Sequence, residues 1–469
     1  MAAKPKTVGA LRESGYRPRS VKLELRENLR RRIRDGERLF PGIVGYDRTV
    51  VPGVVNAVLA CHDFILLGLR GQAKTRLLRA LVDHLDDEVP VLPGSELNDD
   101  PLAPISVQGR RLVDERGDET PVEWLPREAR YNEKLATPDV SIADLLGDVD
   151  PIKAATRRLT FADPEVIHFG IVPRTNRGIF AINELPDLAP RIQVGLLNIL
   201  EERDLQIRGF PVRIPLDILL VFSTNPEDYT NRGTIITPLK DRISSQILTH
   251  YPPDAETAAS ITEQEAWTER GVDGVVVPRD VRLLVEEVSI AARASDLVDQ
   301  TSGVSARVAI AALELLVSNL ERRGLATGDL PVYPRLADLH MLLPAITGKV
   351  EMVYEGEQQG VEVVARQLVG EAAKAFSSRL PAQCSAASSR RPGTFSSSAS
   401  YSANGCSSET STSPPPANQA TISAYGPTSS SPPEPSSLPT SGKRRSKTAF
   451  AASPTSCRAT TSTPCCSPS

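Results

Sequence analysis

Aromatic residues are scarce in this chain of 469 residues, at 4%, and no apolar run approaches the roughly 20 residues that a membrane span requires. Charge of either sign is not in excess: the net charge is −4 with 24% charged residues. Composition therefore gives no global signal for nucleic acid, and such a partner is not expected. A charged-then-apolar leader is also missing from the N-terminus, so the expectation is a soluble, cytoplasmic protein. Paired CxxC spacing is absent, which argues against a zinc site. Cys61 stands alone in the first 376 residues, while Cys384, Cys406, Cys457, Cys465 and Cys466 crowd the end. The body thus reads as a reducing-compartment protein without disulfides.

The length predicts two or three domains. Residues 1–39 carry the arginine-rich run LRENLRRRIRDGERLF, where Glu24, Glu27, Asp35 and Glu37 interleave with the basic residues. That mixture predicts a solvated helix leading into the core rather than a nucleic-acid arm. From Phe40 to Pro252 short apolar runs alternate with helical patterns, the signature of an α/β layer fold. Central strands are expected at 64–67, 178–182 and 218–222. A polar insert at about 90–175 is expected to form a hairpin beside the sheet, with short strands at Thr160-Phe161 and Val166–Gly170. Residues 253–376 change to a helical period, with stripes at Val281, Leu284, Val288 and Ala291 and at Val308, Ala311 and Leu315, slipping at Asn319. Pro278 and Pro331 are the breaks between these helices. Beyond Ser377, Ser, Thr, Pro and Ala dominate; eight basic residues face only Glu409 and Glu434. This segment cannot bury enough apolar surface to offset its ordering entropy and is expected to be disordered. Its abrupt onset after EVVARQLVGEAAKAF, together with the sudden cysteines, favours a shifted reading frame or another C-terminal artefact over a functional linker or a nuclear signal at KRRSK, 443–447.

The most informative run is GLRGQAKT, residues 68–75, between the apolar Phe64-Ile65-Leu66-Leu67 and the helical pattern RLLRALVDHL. A strand, a glycine-bearing loop and a helix opening on Lys-Thr is an arrangement that holds nucleotide phosphates. Gly68 and Gly71 let backbone N–H groups of the Gln72–Ala73 turn face an anion. Lys74 can reach β/γ oxygens, and the Thr75 hydroxyl can ligate Mg²⁺. Ala73 replaces the glycine of GxxxxGK[ST]. Further on, RGIFAINELPDL delivers Asn183 and Glu184 at the end of an apolar strand. Glu184 is placed to polarise an attacking water. Asn183, where an aspartate is usual, can accept from a metal-bound water without adding charge. A third strand ends in Ser223-Thr224-Asn225, and Asn225 can contact the water or the γ-phosphate. Arg242 in PLKDRI is a candidate arginine finger for a neighbouring subunit, and Arg307 in Ser305-Ala306-Arg307 can reach back over the nucleotide.

In this order, FPGIVGYD with Gly45, GLRGQAKT, the insert, PRTNRGIFAINEL, STNPEDYTNRG, TPLKDR and SAR resemble AAA+ ATPases over residues 40–375. PRTNRGIF and the NPE after the third strand resemble magnesium chelatase subunit I and the MoxR-type ATPases. The resemblance implies a P-loop AAA+ core with hairpin inserts, the second of them LQIRGFPVRI at 205–214 around Gly209, followed by an all-α lid. It also implies ATP and Mg²⁺ as ligands, a hexameric ring with Arg242 acting in trans, and a partner bearing a von Willebrand A-type domain. Three readings follow: an ATP-hydrolysing motor that remodels a partner or drives metal insertion, a weakly hydrolysing ATP-binding scaffold owing to Asn183, and an enhancer-binding transcription activator. The last ranks lowest, because the chain has neither a GAFTGA loop nor a helix-turn-helix candidate.

Overall fold

The computed structural model describes residues 4–157, 164–207, 213–226, 234–270 and 274–379, all within one compact unit, residues 1–392. The Thr160-Phe161 strand, the Gly209 turn and the segment after Ser377, apart from Ser377–Arg379, lie outside the described residues. Eleven strands occur among them: β1 (Phe64–Leu67), β2 (Glu88–Val91), β3 (Glu123–Pro126), β4 (Tyr131–Leu135), β5 (Gly147–Val149), β6 (Ile167–Phe169), β7 (Gly178–Asn183), β8 (Asp204–Gln206), β9 (Arg213–Pro215), β10 (Ile218–Thr224) and β11 (Ser245–Leu248).

Five of them form one parallel sheet in the order β11-β1-β10-β7-β4. Register pairs Phe64 with both Val221 and Ser245, and Ile179 with both Leu219 and Tyr131. β7 and β10 are buried at every position, as expected of strands covered on both faces, and their sequences are near-continuous apolar runs for that reason. β1 lies between β10 and β11, and β1, β7 and β10 end at one edge of the sheet, where ligands of open parallel sheets bind.

The insert supplies β4, the polar strand Tyr-Asn-Glu-Lys-Leu that closes one edge of the sheet against β7, and takes part in the antiparallel pairs β2–β3 and β5–β6. β8 and β9 form a further antiparallel pair. The helix Val21–Arg34 also differs from the solvated helix expected. Its Val21, Leu25 and Leu29 pack into one core with Phe64, Leu66 and Val221. Every third or fourth position is apolar, so one face is buried while the arginines keep the other wet.

The helical region that follows the sheet within this unit has its own hydrophobic cluster, built from the helices Arg279–Ala294, Arg307–Thr327 and Val361–Arg379. The first starts directly after Pro278. In the second, the buried stripe is Val308, Ala309, Ala312, Leu313, Leu316 and Leu320 rather than the one through Ala311 and Leu315, and Leu315 is exposed. Asn319 is buried and donates to Asp338 Oδ1 at 2.7 Å, so it is a satisfied core polar group rather than a slip. Among the described residues no helix is long and apolar enough to cross a membrane.

Candidate nucleotide site

The loop after β1 turns back on itself tightly. A Cβ at Gly68 would lie 1.9 Å from Thr249 Oγ1. At Gly71, with φ +73°, one would lie 2.8 Å from Ser305 Cα. Neither position tolerates a side chain, and the second brings Ser305, just before the helix Arg307–Thr327, onto the loop itself. Ala73 holds the usual glycine position at φ 54°, a left-handed conformation that costs a non-glycine residue about 1–2 kcal/mol. The loop is pinned by buried hydroxyls. Tyr46 donates to the carbonyls of Gln72 and His250, each at 2.8 Å, and burial pushes its phenol up to about 12. Thr249 donates to Gln72 Oε1 at 2.6 Å.

Lys74, the first residue of the helix Lys74–Arg79, is buried. Its Nζ donates to the Leu69 carbonyl at 3.0 Å and to Asn225 Oδ1 at 2.6 Å, with the Gly68 carbonyl also accepting. Asn225 in turn donates through Nδ2 to Glu184 Oε2 at 3.0 Å. Three residues up to 151 positions apart in sequence thus form one hydrogen-bonded chain across the ends of β1, β10 and β7. Beside it, Asn183 Oδ1 accepts from Ser223 Oγ at 2.8 Å and from Thr75 Oγ1 at 3.4 Å. Glu184 has φ 56° and ψ 49°. A strained backbone just past a strand end is a common feature of functional positions.

The structure does not bring Arg242 to this cluster. It ends the helix Thr237–Arg242, where Nε donates to Glu201 Oε2 at 2.6 Å. It precedes Ser245, the register partner of Phe64, and so sits at the sheet edge opposite the phosphate loop. Arg307 is exposed at the first turn of the helix Arg307–Thr327, next to Ser305 and Ala306 at the loop. Sequence reasoning missed a cleft beside the loop, lined among others by Gly42, Tyr46, Gln72, Arg76, His250 and Ala306. The signal for it was FPGIVGYD, whose Gly42 and Gly45 have φ of 83° and 84° and turn this segment around the cleft.

In the order of its motifs the chain resembles the AAA+ ATPases. No protein-family model and no curated protein matches the sequence. Solved structures similar to it include NtrX from Brucella abortus, at 18% identity over 66% of this chain, with a TM-score of 0.38; this chain spans 57% of that one. NtrX complexes with ADP and with ATP match comparably. The complex between subunits BchI and BchD of magnesium chelatase matches at 20% identity over 68% of this chain and 98% of that one, with a TM-score of 0.35. Scores this low carry no argument about activity, which rests on the residues themselves.

Proposed function

We propose that the chain is a Mg²⁺-dependent AAA+ ATPase of the magnesium chelatase subunit I/MoxR type, which converts ATP hydrolysis into remodelling of a partner or metal insertion. One observation carries the proposal: Lys74, Asn225 and Glu184 converge in a single hydrogen-bonded chain at the mouth of a phosphate-binding type of loop. In this reading the base occupies the cleft beside Tyr46 and Arg76, and the phosphates follow the loop to Lys74. A triphosphate would take over the hydrogen bond that Lys74 makes to Asn225. Asn225 and Glu184 are then left to hold and polarise the attacking water.

The residues present fit Mg²⁺, which keeps several waters and binds mainly through phosphate oxygens. Thr75 Oγ1 would ligate it, and Asn183 would accept from one of its waters. When bound, the metal would neutralise charge on the phosphate oxygens. Arg242, at the far edge of the sheet, would serve a neighbouring copy in a hexameric ring, and Arg307 would reach the nucleotide from the helical domain. A partner bearing a von Willebrand A-type domain is the proposed client-side component. The metal to be inserted, if that is the task, is cargo. Asn183 supports a second reading, because it brings no negative charge where a carboxylate is usual. The chain would then bind ATP tightly and act as a nucleotide-gated scaffold.

Titration calorimetry with ATP and Mg²⁺, together with phosphate release, tests both. Lys74→Ala is expected to weaken ATP binding by roughly 10²-fold or more, since it removes at least two charge-assisted contacts worth about 1.5–3 kcal/mol each. Glu184→Gln should keep binding and lower turnover by about 10²–10⁴-fold. An unchanged dissociation constant in Lys74→Ala overturns the site. Tight binding with no turnover, restored by Asn183→Asp, selects the scaffold.

A further inference from the structure

Two arginines that flank Lys74 reach out of the phosphate-loop segment to the helical domain. Arg70 Nε donates to the Ser302 carbonyl at 3.0 Å, and its Nη1 donates to Glu351 Oε1 at 2.8 Å. The Ser302 hydroxyl donates to the other Glu351 oxygen, and the Glu351 carbonyl accepts from the Asp299 N–H at 2.9 Å. The Ser302 hydroxyl and the Arg70 guanidinium hold the Glu351 carboxyl below its ordinary range. Arg70 is fixed from behind as well: its carbonyl accepts from Tyr251 OH at 2.9 Å. The Arg293 guanidinium lies 4.1 Å over the Tyr251 ring and donates to the Val304 carbonyl at 3.1 Å. On the other side of Lys74, Arg76 pairs with Glu265 at the end of the helix Ala255–Glu265. Next to it, Gln264 Nε2 donates to the Gly42 carbonyl at 2.9 Å.

Arg76 and Glu265 line the cleft together with Ala306, and Ser305 lies against Gly71 in the loop that also carries Arg70. Tyr46 and Gln72 come from the sheet side of the cleft, and Ile261 and Ala306 from the helical side. The pocket exists as a pocket only while the two sides are held together. We propose that Arg70–Glu351 and Arg76–Glu265 form a two-point clasp that positions the helical domain over the phosphate loop. Arg70 and Glu351 are positioning residues that act on nucleotide through the placement of Ser305-Ala306-Arg307; in this respect the proposal rests on the nucleotide reading above. Side-chain exposures of 41% and 55% for the first pair, and 44% and 34% for the second, make each pair individually weak. A clasp of this strength opens and closes reversibly. Apparent affinity then scales with the fraction of chains that are clasped.

The test uses the full chain with Glu351→Ala, Glu265→Ala, the double variant and the conservative Glu351→Asp. Hydrogen exchange without nucleotide should accelerate several-fold at residues 302–308 in Glu351→Ala, with β7 and β10 unchanged, and Glu351→Asp should restore most of the protection. The ADP dissociation constant should rise roughly 3–10-fold in Glu351→Ala, and further in the double variant. For ATP turnover, KM should rise in Glu351→Ala while kcat moves by less than about twofold. The wild-type affinity should itself weaken with salt, because exposed pairs are screened. Unchanged exchange at 302–308 in the double variant overturns the clasp. If the wild type binds no ADP, the nucleotide reading fails and the exchange result alone decides the clasp.

Discussion

Arg130→Met is expected to destabilise the sheet-bearing part of the chain by about 3–5 kcal/mol, the range for breaking a buried ion pair on one side. Arg130 is the largest fully buried side chain among the described residues, and its Nη1 and Nη2 each donate to a Glu24 oxygen at 2.7 Å. Side-chain exposures are 1% and 3%, so solvent screens almost nothing. Arg130 Nε also donates to the Arg177 carbonyl at 2.8 Å. The pair therefore ties the N-terminal helix to the turn that feeds β7. With the guanidinium gone, the Glu24 carboxylate keeps the Asp86 N–H at 2.7 Å and loses both charge-assisted bonds. Glu24→Leu strands the guanidinium and should cost a similar amount. The double variant Glu24→Leu/Arg130→Met leaves no orphaned charge and is expected to be more stable than either single variant. Urea unfolding in a Trp267→Phe background reads this out, since Trp124 on β3 is then the one tryptophan left. A single-variant cost below about 1 kcal/mol, or a double variant no better than the singles, would refute the argument.

Two further outcomes follow from the structure. Arg242→Ala should retain ATP binding and lose roughly 10³-fold or more in turnover, as for other arginine fingers. Mixing it with Glu184→Gln should restore part of the activity if the finger serves a neighbour; no rescue at any ratio argues against a trans role. Burial pushes Glu286 from 4.5 up to about 7, against the pull of Thr262 and Arg293. The native state therefore binds this proton more tightly than the unfolded state, and stability is lost as pH rises from about 4.5 to 7. Glu286→Gln removes that loss, so its stability relative to wild type should be about 2–4 kcal/mol better at pH 8 than at pH 5. Burial and Arg32 push His84 down to about 4, with the opposite pH slope. For that reason the quantity to compare is the difference between variant and wild type by urea unfolding, and a difference independent of pH would sink the prediction.

The strands that carry Lys74, Glu184 and Asn225 were legible in the sequence because each is a continuous apolar run ending in polar residues. β4 and β11 were not. The first is a half-buried edge strand with Asn, Glu and Lys in sequence, and only Ile247 of β11 is buried. What recruits such strands is a hydrogen-bonding edge set up by distant residues, which no local window contains. The same holds for Glu24 and Arg130, 106 positions apart. In the N-terminal helix the interleaved charges read locally as a solvated helix leading into the core, although one of those acids, Glu24, is buried. In the helix Arg307–Thr327 the period was right and the phase wrong, because alanines at 309, 311 and 312 give apolar matches on adjacent faces.

β4 also changes what residues 90–175 are. A strand taken from that region runs alongside the one that ends in Asn183 and Glu184, so the stretch is part of the scaffold and not an ornament hung on it. Shortening it to a linker would leave β7 as a raw border whose unpaired amides and carbonyls invite a foreign strand. A trimmed version of this protein should therefore be expected to clump before it can be judged inactive.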